Sequence, residues 1–111
     1  MNVVSEEKNG VVVMYLKEER LDAHNSGDLK ALLLETFQNG HKNILIDLKD
    51  VRFIDSSGLG ALVSGFKNAI SNQGGLKLSS LQTQVKSMFE LTRLHRVFEI
   101  FPSSVEALEN F

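Results

Sequence analysis

The chain of 111 residues contains no cysteine, which excludes disulfides and thiol chemistry and fits a reducing compartment. It has no basic excess either. Twelve Lys+Arg stand against 14 Asp+Glu, a formal net charge of −2, and no basic stripe runs along the chain, so no nucleic-acid or anionic-membrane partner is expected. No apolar run approaches the roughly 18 residues of a membrane span, so no membrane insertion is expected. The start, Met1-Asn2-Val3-Val4-Ser5-Glu6-Glu7, lacks the basic head and long apolar core of a signal peptide. A cytoplasmic location is therefore expected. The histidines His24, His41 and His95 are scattered, and no His/Asp/Glu cluster has metal-ligand spacing. Ser56 does not lie in Gly-x-Ser-x-Gly, and no paired base accompanies it. Gly58-x-Gly60 lacks the Lys-Ser/Thr of a phosphate loop. Neither an enzyme nor a cofactor is expected.

What is present is the composition of one globular domain over residues 1–111, with 42% apolar and 23% charged residues. Asn9-Gly10 is a strong hairpin signal between Val3–Glu7 and the β-branched run Val11 to Leu16, so residues 2–17 read as an antiparallel hairpin. Lys17 to Arg20 reads as a charged, solvated connection. Asn25 and Asp28 have capping-box spacing before a helix that buries Leu29, Leu32, Leu33 and Phe37 and ends at Gly40. Ile44 to Leu48 is nearly continuous in aliphatics, as in a central strand covered on both faces.

Val51 to Ile54 re-enters the core and runs into Asp55-Ser56-Ser57-Gly58-Leu59-Gly60. There an amphipathic stripe of Leu59, Leu62, Val63, Phe66 and Ile70 begins a second helix. The serines stand where the helix leaves its first N–H groups unpaired, so one of the two is a good N-cap. Gly74-Gly75 leads to the strand Leu76–Ser79. Thr83 is the expected cap of a third helix carrying Val85, Met88, Phe89 and Leu91, and Val97–Ile100 is the expected last strand. Ser103 and Glu106 have capping-box spacing for a final helix that packs through Val105, Leu108 and Phe111. The expected order is β-β-α-β-α-β-α-β-α, an α/β fold with a mixed, mostly parallel sheet of about four to five strands and four helices.

With this order in hand, the chain resembles the STAS domain family, most closely its small stand-alone members, the bacterial anti-sigma factor antagonists. The residues that carry the resemblance are Asp55 to Gly60 after the strand Ile44–Leu48, supported by Leu21-Asp22, Gly74-Gly75 and Val85-Lys86-Ser87-Met88-Phe89. One position departs from the pattern: members often carry glycine two residues before the equivalent of Leu21, where this chain has Glu19.

The resemblance implies a partner switch. The unmodified antagonist binds an anti-sigma factor that is also a serine kinase, phosphorylation of the serine after the aspartate (Ser56) releases it, and a PP2C-type phosphatase resets the system. Asp22, His24, Asn25, Asp55, Ser56, Ser57, Gly58, Leu59 and Gly60 are the expected contact residues. Asp22 either accepts hydrogen bonds from the partner or caps its own loop. With Ser56 as the acceptor, Ser57 is assigned to capping, and Asp55 either orients the Ser56 hydroxyl or holds its turn. Gly58 and Gly60 admit either a closely approaching partner or a tightly packed helix. The alternative is a STAS subunit of a sensory scaffold or lipid-transport complex in which Ser56 is never modified.

Overall fold

The computed structural model describes residues 1–111. Asn9 and Gly10 both have positive φ, 53° and 79°, the left-handed pair that a two-residue hairpin turn needs. They join β1 (Val3–Lys8) to β2 (Val11–Leu16) in antiparallel register, Lys8 opposite Val11. β4 (Asn43–Asp47) pairs parallel with β2, β6 (Gly75–Ser79) parallel with β4, and β7 (Ile100–Phe101) parallel with β6. The sheet order is β1-β2-β4-β6-β7, and β4 is the buried centre the aliphatic run demands.

Three helices, α1 (Ser26–Gln38), α2 (Ser56–Ser71) and α3 (Thr83–Leu91), cover one face. Leu29, Leu33 and Phe37 of α1, Leu59 and Leu62 of α2, and Val85 and Phe89 of α3 share a core with Met14, Ile46 and Leu78 of the sheet. The other face carries Val11, Val13 and Leu45 beneath Ala107 of the short helix α4 (Ser104–Leu108). No helix is long and apolar enough to cross a membrane. The fold is the mixed α/β arrangement expected, with its opening hairpin, mostly parallel five-stranded sheet and four helices.

Several local expectations fail. Arg20–Leu21, where the supposed charged connection ends, is a strand (β3) paired parallel with Phe53–Ile54 (β5) in a separate two-stranded sheet. Ile70 is 59% exposed, because the buried stripe of α2 swings to Gly65 and Ala69. Leu91 of α3 and Val105 of α4 also face solvent. Gln82, not Thr83, precedes the first turn of α3, without a side-chain cap. The last strand begins at Ile100 and not Val97, because Leu94–Arg96 forms a 3₁₀ turn that drops Phe98 between Phe66 and Phe89, ring centroids 5.2 and 5.6 Å away. Elsewhere, Ser103 Oγ accepts from the Glu106 N–H at 3.2 Å, as its spacing predicts, and Gly40 adopts φ 95° after α1.

Tyr15, the one tyrosine of the chain, donates its hydroxyl to Glu6 Oε1 at 2.9 Å across the hairpin. Burial disfavours the phenolate and the Glu6 carboxylate holds the proton, so both push its pKa above 10. The folded state binds this proton more tightly than the unfolded chain does. The stabilisation is therefore complete below about pH 10 and lost as pH rises through the folded value. An ultraviolet phenolate titration should show a midpoint above 10, moved part of the way back by Glu6→Gln. A midpoint at 10 in the folded wild type would contradict this reading.

Candidate functional site

The two-stranded sheet builds the site. Pairing Arg20 with Phe53 and Leu21 with Ile54 puts the segment after β3 beside the segment after β5. The seam is closed by the Asp55 N–H donating to the Leu21 carbonyl at 3.3 Å, while the Glu19 carbonyl accepts from Arg52 and Phe53. Glu19 has no positive φ, so the glycine common at this position is not needed for the turn.

The first segment is cross-linked within itself. Asp22 accepts from the His24 N–H at 3.0 Å and from Arg20 Nε at 3.4 Å. Its own N–H donates to Asn25 Oδ1 at 2.9 Å, and Asn25 Nδ2 donates to the Arg20 carbonyl at 2.7 Å. Asp22 thus caps its own loop, one of its two expected roles. The expected capping box fails here, since Asn25 precedes α1 but spends its side chain on the loop and caps nothing. His24 is exposed at the tip. The Arg20 guanidinium lies 4.4 Å from the centroid of the Phe53 ring, a stacked cation at the edge of the site.

In the second segment the N-cap of α2 is Asp55. Its backbone is extended and its Oδ1 accepts from the Gly58 N–H at 3.0 Å. This corrects the assignment of Ser57 to capping: an aspartate one residue outside the helix meets the third helical N–H, and neither serine is needed. It also settles Asp55 as the group that holds the turn. Ser56 and Ser57 are both exposed, on the first two residues of the helix, and no acceptor in the chain takes their N–H groups.

Gly58 and Leu59, expected on the contact surface, are buried. A Cβ at Gly58 would strike the Leu21 carbonyl oxygen and sit 2.8 Å from Ile54 Cγ1, so this glycine seats the helix on the two-stranded sheet. Gly60 meets nothing within 4 Å. Gly58→Ala should cost about 1–3 kcal/mol of stability by overpacking. Gly60→Ala should gain up to about 1 kcal/mol from helix propensity. Urea titrations of the two variants check the contrast, and equal effects would refute it.

The arrangement presents an exposed hydroxyl at a helix N-terminus, beside two carboxylates fixed by their own hydrogen bonds. No group of three or more His/Cys/Asp/Glu is placed to hold a metal ion.

The STAS domain profile matches residues 2–107. The anti-sigma-B factor antagonist of Bacillus subtilis is 31% identical over 101 residues, covering 91% of this chain and 90% of that protein. The crystal structure of a candidate anti-sigma factor antagonist from Thermotoga maritima superposes with a TM-score of 0.89 at 28% identity, covering 97% of this chain and 92% of that one. Bacillus SpoIIAA shares the fold in its unphosphorylated form (TM-score 0.74, 19% identity, 98% and 96% of the two chains). It does so equally in its phosphorylated form (0.75, 21%, 98% and 98%). The profile match over nearly the whole chain and the 31% identity to the Bacillus subtilis protein place this chain in the STAS domain family.

Proposed function

We propose that the protein is an anti-sigma factor antagonist in a cytoplasmic partner-switching pathway, a binding regulator with no catalytic role of its own. Unmodified, it binds a serine-kinase anti-sigma factor. Phosphorylation of Ser56 ends the complex, and a PP2C-type phosphatase restores it. The observation that carries the reading is that Asp55 does the capping, which leaves the Ser56 hydroxyl exposed and free of any structural duty. The contact surface consists of His24, Ser56, Ser57 and Gly60, with Asp22, Asn25 and Asp55 holding it in shape.

The switch works by charge on a rigid domain. A phosphate adds about −1.5 to −2 charges beside Asp55 and the Asp22 loop. Within the free protein the unpaired N–H groups of Ser56 and Ser57 and the helix dipole offset part of that charge, by about 0.3–1 kcal/mol. A partner surface that has closed over a neutral hydroxyl has no such compensation.

Mass spectrometry of the protein from its native host tests the reading. Trypsin cuts after Arg52 and Lys67 and leaves Phe53 to Lys67 as one peptide holding Ser56, Ser57 and Ser64. A single phosphate on Ser56 is the expected result. Phosphate confined to Ser57 would move the switch by one residue. No phosphate in growth or in stress would favour an unmodified subunit of a sensory or lipid-transport assembly.

A further inference from the structure

A groove of about 480 Å³ opens between α3, the 3₁₀ turn and β7, lined by none of the residues around Ser56. Its volume falls within the range of small-molecule sites, roughly 300–1,000 Å³. The floor is apolar: Phe98 is buried, and Leu81, Ile100 and Phe101 are each half-exposed along it. The lip carries three polar side chains, Lys86, Glu90 and His95.

The state of these three groups defines an occupant. Lys86 and Glu90 lie one turn apart on the same exposed helix face, the spacing at which opposite charges usually pair. Yet neither enters any ion pair in the chain. One cation and one carboxylate therefore stand open on the same lip. His95 Nδ1 lies 3.3 Å from the Phe89 carbonyl, which can only accept, so Nδ1 carries the hydrogen and Nε2 remains without a partner in the chain. An apolar acid would find Lys86 but bring its charge against Glu90. An apolar amine would find Glu90 but face Lys86. A molecule with both charges on one end and an apolar body on the other satisfies the lip and the floor together.

We propose that this groove is a binding site for an apolar α-amino acid in its zwitterionic form. Its ammonium group pairs with Glu90, its carboxylate with Lys86, and its side chain lies over Phe98, Ile100 and Phe101. The site is independent of Ser56 and would make the protein responsive to a small molecule as well as to a kinase.

The test is a two-dimensional amide NMR titration of the full chain with L-phenylalanine, phenylacetate and phenethylamine as probes. L-Phenylalanine should give saturable shifts at Leu81, His95, Phe98 and Ile100 and none at Ser56 to Gly60, with a dissociation constant of about 0.1–1 mM. Each singly charged probe should bind at least about fivefold more weakly. Lys86→Gln and Glu90→Gln, both at exposed positions, should each weaken L-phenylalanine by a similar factor at an unchanged melting temperature. Equal binding of the three probes, shifts elsewhere on the surface, or no saturation by about 20 mM would overturn the assignment.

Discussion

Phosphorylating Ser56 is expected to weaken binding to the anti-sigma factor by ten- to several-hundred-fold while the free protein melts within a few degrees of its unmodified form. Two unit charges about 4 Å apart repel by ~1 kcal/mol in water and by ~4 kcal/mol at an effective dielectric of 20. A closed interface lies between these limits, and each 1.4 kcal/mol is tenfold in affinity. In the free protein the same phosphate sits in water at a helix N-terminus whose first two N–H groups have no acceptor in the chain, so the fold loses little. Calorimetric titration against the kinase captured with a Ser56→Ala bait measures the first quantity, and scanning calorimetry of the free protein measures the second. Unchanged affinity would end the electrostatic account. A large drop in melting temperature would replace it with a conformational switch.

The largest effect on stability is expected at Gly74, beyond the end of α2 opposite Ser56. A Cβ there would overlap the backbone carbonyl of Lys42, with the carbonyl carbon only 2.6 Å away. The neighbour is main chain at the entry to the central strand, held by the Gly75 N–H donating to the Lys42 oxygen at 3.0 Å, so it cannot rotate aside as a side chain would. Gly74→Ala must part β4 from β6 at their first pair, Asn43 opposite Gly75. The cost should reach about 3 kcal/mol, or a fall of about 13 °C in melting temperature. Gly75→Ala is the matched control. Its new methyl would meet only Asn43 Oδ1 at 3.5 Å and the Phe111 ring at 3.9 Å, so under about 1 kcal/mol is expected. Similar melting points for the two variants would refute the backbone clash.

The parts of the fold that were legible in the sequence are those with a long or chemically singular signal. Asn9-Gly10 admits few turns, the run Ile44 to Leu48 suits few places but a covered strand, and the apolar spacing after Asp55 is helical. What escaped lies below the length at which periodicity exists. β3 and β5 are two residues each and were hidden in a charged stretch and at the end of an apolar one, yet they align the whole site. The cap is ambiguous for another reason: Asp, Ser and Ser are all good cap residues in a row, and only the extended backbone of Asp55 picks one. Asn25 shows the same ambiguity from the other side, since its amide serves a loop as readily as a helix. Gly58 gave no sign whether its missing side chain serves a partner or the chain itself. Leu21, which decides the matter, lies 37 residues earlier in the sequence (58 − 21).

The division of labour between Asp55 and Ser56 also shapes how such a protein can change over generations. Natural proteins sit close to a stability threshold, and a substitution that takes the fold below it is purged whatever its regulatory merit. Because the aspartate carries the cap, position 56 is exempt from that filter. If Ser56 is the acceptor as proposed, a drift there from serine to alanine or aspartate fixes the protein as always available or always silent, with almost no penalty in folding. One codon then sets the regulatory logic, while the neighbouring codon keeps the scaffold intact.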